Sequence, residues 1–214
     1  MLSGSWERYA PLSGLLFVAL VVVSIIVTGG DSVDSDDSTQ KVVEFWTSND
    51  SEQIAGALLG ALALVPFLWF LGSLRKVLRT AEGGTGRLSA VAFAGGIVLA
   101  AGAAADASIQ FAAADSADKV PPGVTQALSV LYSDFFLVFP VGVAPLMLAT
   151  ALVILRTRVL PVWLGWVALV VGIVAVTPAG FFAFLVVLVW VAVVSVLLFQ
   201  REPRPTPTAV PGPS

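Results

Sequence analysis

Long apolar runs alternate with short polar breaks along this chain. The runs cover residues 11–28, 52–74, 88–114, 126–155, 160–176 and 179–200. Each is near or above the roughly 17 to 25 residues that a helix needs to cross hydrocarbon. The pattern predicts an all-α fold, a polytopic membrane helix bundle with six transmembrane helices. A single domain over residues 1–200 accommodates it, and the Pro-rich tail at 201–214 is expected to be disordered. Composition agrees: 57% of the 214 residues are hydrophobic and 12% charged, against about 25% charged in a soluble domain.

Pro11 suits the first turn of the first helix. That helix is expected to stay uncleaved, because no A-x-A site follows it and further helices do. Residues 29–51 form an acidic, Ser-rich break. Within it Val42, Val43, Phe45 and Trp46 are spaced to share one face of a short helix, with Asp37 or Ser38 as its cap. The expectation is a helix resting at the membrane interface, with a lid over a pocket as the alternative. Asn49 and Glu52 have capping-box spacing for the second helix. Gly56 and Gly60 form a G-x-x-x-G contact pattern there, and Pro66 predicts a kink.

The run at 88–114 is built mainly of Ala and Gly, which lets neighbouring backbones approach. It is expected at the centre of the bundle. The runs at 160–176 and 179–200 are apolar all round and are expected at its lipid-facing edge.

Charge orients the bundle. Six crossings place Arg8, Arg75, Lys76, Arg79, Arg87, Arg156, Arg158, Arg201 and Arg204 on one side and only Lys41 and Lys119 on the other. The positive-inside rule makes the first side cytoplasmic, with both termini on it and the acidic 29–51 loop outside. Trp6, Trp69, Trp163 and Trp166 fall near the same inner boundary, as an aromatic belt does. The expected location is the cytoplasmic membrane.

The chain has no Cys and no His. That excludes disulfides, Cys–His zinc sites, His-ligated haem and a His general base. No P-loop, dinucleotide fingerprint, nucleophile elbow or metalloprotease motif occurs. No catalytic residue, metal site, cofactor or nucleic-acid partner is expected. Carboxylate chemistry remains. Asp106 lies 19 residues after Arg87, and Asp134 lies 22 before Arg156. Helical rise puts both about 30 Å from the inner boundary, near the outer edge of the hydrocarbon. Gln110 follows Asp106 at i,i+4 and shares its face.

Asp106, Gln110, Tyr132 and Asp134 therefore define a candidate outward polar pocket, covered by Trp46, for a small ligand or cation. The competing reading is that the two carboxylates only cap helix ends or meet water, where charge costs little. No ionisable residue lies near the midplane, which argues against a coupled transporter with a central relay. Arg75, Lys76, Arg79 and Arg87 are candidates for an anionic-lipid or partner contact, or for topology determination alone.

Three stretches, 73–96, 134–142 and 160–185, carry a resemblance to six-helix integral membrane proteins of high-GC bacteria, a domain-of-unknown-function type. The resemblance implies a bacterial cytoplasmic membrane and a helical bundle, and no activity. Two functions compete. One is ligand or cation binding in the outward pocket. The other is an accessory subunit acting through helix packing, with a membrane-protein partner or self-association.

Overall fold

The computed structural model describes residues 9–29, 33–34, 36–178 and 180–201. The expectations for Trp6, Arg8, Asp31, Arg204 and the Pro-rich tail lie outside the described residues. Among the described residues eight α-helices follow in order: α1 (Ser13–Val27), α2 (Thr39–Ser48), α3 (Asp50–Glu82), α4 (Arg87–Ser116), α5 (Pro122–Asp134), α6 (Val138–Thr157), α7 (Val162–Val174) and α8 (Gly180–Arg201). Short 3-10 turns at Ala10–Leu12 and Phe135–Leu137 lead into α1 and α6. No strand occurs among the described residues. Among the described residues, five segments are long and apolar enough to cross a membrane: Ala10–Val27, Asp50–Glu82, Arg87–Ser116, the α5–α6 rod Pro122–Thr157 and Phe182–Arg201. They make the chain an all-α membrane protein. The sixth predicted span is shorter: α7 has 13 residues, about 20 Å.

Local chemistry moves several boundaries. α3 does not stop at residue 74 but carries Arg75, Lys76 and Arg79 on its last two turns. Leu74 and Leu78 continue its buried stripe, at 1% and 0% exposure, so packing holds the helix past the charges. It ends where Gly83 adopts φ 65° and Gly86 repeats that value, a region glycine enters without penalty. Gly86 offers α4 no side-chain cap. Glu82 supplies one from the preceding helix, accepting from the Leu88 and Ser89 N–H groups at 2.8 and 2.9 Å. A carboxylate at a helix N-terminus also meets the positive end of its dipole.

The capping box at Asn49 does not form. Asn49 Nδ2 donates instead to the Phe45 carbonyl at 2.8 Å. With one residue between α2 and α3, that amide closes the first helix rather than opening the second. The single helix expected at 126–155 is two helices joined by the 3-10 turn. Pro140 lacks an N–H, and its ring crowds the carbonyl four residues back, so the backbone tightens just upstream. α5 begins at Pro122, a favoured residue for a first turn.

The largest core joins Phe17 of α1, Phe67, Phe70 and Leu74 of α3, Met147 and Ile154 of α6, and Val191 of α8. Phe17 and Phe67 pack with ring centroids 4.7 Å apart. α4 lies at the centre of the bundle, packed against both α3 and α6, as expected. α8 packs one face against α1 and α7, with Trp190 Nε1 donating to the Leu164 carbonyl at 3.1 Å. Its other face, with Phe182, Leu185 and Val189, stays exposed as at a bundle edge.

A second, smaller core lies apart. Val33, Val42 and Trp46 pack on Ala113 and Ala114 of α4 and on Ala117 just past its end, with Leu128 and Tyr132 of α5 at the rim. The amphipathic α2 is its roof. Ser38 caps α2 by accepting from the Lys41 N–H at 3.4 Å. Thr39 Oγ1 donates to Gln126 Oε1 at 2.6 Å and ties the start of α2 to α5.

Candidate functional site

The small core positions most of the candidate residues. Trp46 is 1% exposed and meets Tyr132 edge-on, with ring centroids 5.7 Å apart at 82°. Its indole N–H is buried without a hydrogen-bond partner among the described residues. Asp106 on α4 is half-buried and lies within electrostatic reach of Tyr132. Its carboxylate has no hydrogen-bond or ion-pair partner among the described residues.

Asp134 is the last residue of α5. Gly102 of α4 sits directly against Val138 of α6. One turn further out on each helix, Asp106 and Asp134 share a level. Asp134 is exposed there, whereas Tyr132, also of α5, is half-buried.

Gln110 is committed elsewhere. It is 7% exposed, and its Nε2 donates to Gln53 Oε1 of α3 at 2.8 Å. Gln53 Nε2 donates onward to the Thr28 carbonyl at 3.5 Å. Ser24 Oγ donates to the Gly56 carbonyl at 2.8 Å just below. These contacts form a polar clasp across α1, α3 and α4. Buried amides pair with one another because an unpaired one is costly. Gln53, Ser24 and Thr28 were not singled out in the sequence. The available signal was Gln53 lying one turn before Gly56 and Ala57, on the same buried face.

The basic residues gather at the opposite end. Arg75, Lys76, Arg79 and Arg87 are all exposed. The Arg75 guanidinium lies over the Phe93 ring, 4.8 Å from its centroid, a favourable cation–π distance. The Arg79 stem packs beside Gly86.

Outside the spans, Asp37 and Lys41 form an ion pair at 2.7 Å. The Lys41 ammonium holds the Asp37 carboxyl below the usual range, helped by the Asp34 N–H. Asp37 in turn pushes Lys41 up.

What the fold defines is a membrane helix bundle with the short helix α2 packed on the small core at one end of α4 and α5. No protein-family model, curated protein or solved structure matches the chain.

Proposed function

We propose that this is a multi-pass protein of the cytoplasmic membrane, with both termini cytoplasmic, that binds a small cation at Asp106 beneath the α2 cap. The observation that carries this reading is the Asp106 carboxylate, half-buried and unpaired beside the Tyr132–Trp46 ring pair. An ionisable side chain inside a membrane span is costly and marks a site when no partner neutralises it. A single carboxylate flanked by aromatic rings suits a monovalent or organic cation, which gains charge pairing and ring attraction together. A divalent metal draws on six or more oxygen ligands. No group of three metal-ligating side chains occurs among the described residues. The nine-to-two distribution of Lys and Arg supports the orientation.

The accessory-subunit reading draws less support. Gly95, Gly102 and Gly142, the residues that invite helix approach, are taken up by contacts within the chain.

The test is thermal unfolding in detergent with tetramethylammonium chloride against sodium chloride. The wild type should gain stability with tetramethylammonium, and Asp106→Asn should not. Equal responses of the two proteins would remove the proposal.

A further inference from the structure

α7 and α8 form a hairpin with unequal legs. α7 has 13 residues and α8 has 22, about 20 and 33 Å. Only the longer leg matches a hydrocarbon layer of about 30 Å. Beside the short leg lies a groove of about 390 Å³, walled by Trp166, Val170 and Val174 of α7 and Phe182 and Val186 of α8. Where a helix is too short for the layer, the bilayer itself must fill the gap.

The link that leads into α7, just before the groove wall begins at Trp166, points to one kind of lipid. Arg158, in the link from α6 to α7, is exposed. It has no ion-pair partner among the described residues and is the one non-glycine among them with positive φ, at 56°. That position closes α6 and favours glycine or asparagine. Arg156, in the last turn of α6, already supplies a cation to the helix dipole. Arg158 thus stands where a smaller residue fits the backbone better. Trp163 and Trp166 are 54% and 57% exposed. Indole rings favour headgroup depth, which sets the Arg158 end of α7 at the membrane surface.

We propose that this groove is a site for an anionic glycerophospholipid: its phosphate pairs with Arg158, and one acyl chain runs along Trp166, Val170 and Val174 toward Phe182. Basic residues between helices at a membrane face bind such headgroups, and an arginine fork fits phosphate bidentately. The site lies on different helices from Asp106 and stands independently of the cation proposal.

The experiment uses the full chain, delipidated in detergent, with thermal unfolding followed as phosphatidylglycerol or phosphatidylcholine is titrated in. Phosphatidylglycerol should raise Tm by several degrees more than phosphatidylcholine. Arg158→Gln should abolish that difference while keeping the phosphatidylcholine response. Arg158→Gly should also abolish it, yet raise the lipid-free Tm by relieving the backbone. Val170→Trp with Val186→Phe, both at exposed positions, should blunt both lipid responses by filling the groove. Equal responses of the wild type to the two lipids would overturn the site. So would a phosphatidylglycerol preference that survives Arg158→Gln, which would move the headgroup to other cations. A detergent-stable dimer dissociated by Val170→Trp would assign the groove to a second copy and overturn it too.

Discussion

A Cβ on Gly95 would stand 2.8 Å from the carbonyl oxygen of Gly142 and 2.5 Å from the Leu146 nitrogen. α4 and α6 therefore meet backbone on backbone. Pro145 sits at the same crossing, its ring 2.9 Å from that Cβ position, so neither helix has slack to give. Close approach of this kind is how helices gain packing energy in lipid, where no hydrophobic drive separates them from the solvent.

Gly95→Ala should accordingly destabilise the bundle by about 1–3 kcal/mol, the range for overpacking a filled contact. Gly72→Ala is the control. It is also helical, but nothing lies within 4 Å of its Cβ position, and it should gain up to about 1 kcal/mol from helix propensity. Thermal unfolding of both variants in one detergent checks this. The same sign for both would mean that the crossing is looser than drawn.

The Gln53–Gln110 clasp predicts non-additivity. Gln53→Leu or Gln110→Leu alone strands a buried amide and should cost about 1–3 kcal/mol. The double variant removes both amides and should cost clearly less than the two together. A double-mutant cycle on unfolding free energies reads the difference. Strict additivity would show that the two side chains act separately.

These contacts mark the limit of what one sequence discloses. The spans were readable because run length against bilayer thickness is a one-dimensional property. The α3 extension through Arg75, Lys76 and Arg79 was readable in principle, since Leu74 and Leu78 keep the i,i+4 stripe; mean hydropathy masked it with charge. Asp106 and Gln110 share a helix, and their spacing suggested one pocket. Gln110 turned instead to Gln53, 57 positions away. No periodicity within one helix encodes which neighbour a buried amide will find. The exposure of Asp134 was hidden for the same reason, because it depends on the turn at Phe135–Leu137 that ends α5.

The Asp37–Lys41 pair sets a pH window for α2. The folded Asp37 pKa is lowered, so its contribution is complete above the unfolded value of about 3.9 and is lost as pH falls through the folded one. The folded Lys41 pKa is raised, so its contribution is complete below about 10.4 and is lost as pH climbs past the folded value. Amide exchange of residues 39–48, corrected for intrinsic rates, should therefore speed up below about pH 4 in the wild type. Asp37→Asn should exchange faster at pH 7 and lose that dependence. A wild-type profile flat between pH 3 and pH 7 would show that the pair does not order the helix.

The two cores predict that the cap can open without the bundle. Trp46 anchors α2 through Val42, Ala113, Ala114 and Tyr132, whereas the large core shares none of these residues. Trp46→Ala removes the largest side chain of the small core, a change that costs about 3–5 kcal/mol in a filled interior. A cap of this size holds little stability in reserve, so α2 should detach locally rather than unfold the whole chain. Limited proteolysis should then cut near Lys41 much faster than in the wild type, while the Tm of the helical signal moves by only a few degrees. Trp46→Phe should sit between the two, keeping a ring against Tyr132 and dispensing with the unpaired indole N–H. If Trp46→Ala lowered Tm as far as it speeded cleavage, the cap and the bundle would be one cooperative unit, and α2 would be a structural strap rather than a separable cover over Asp106.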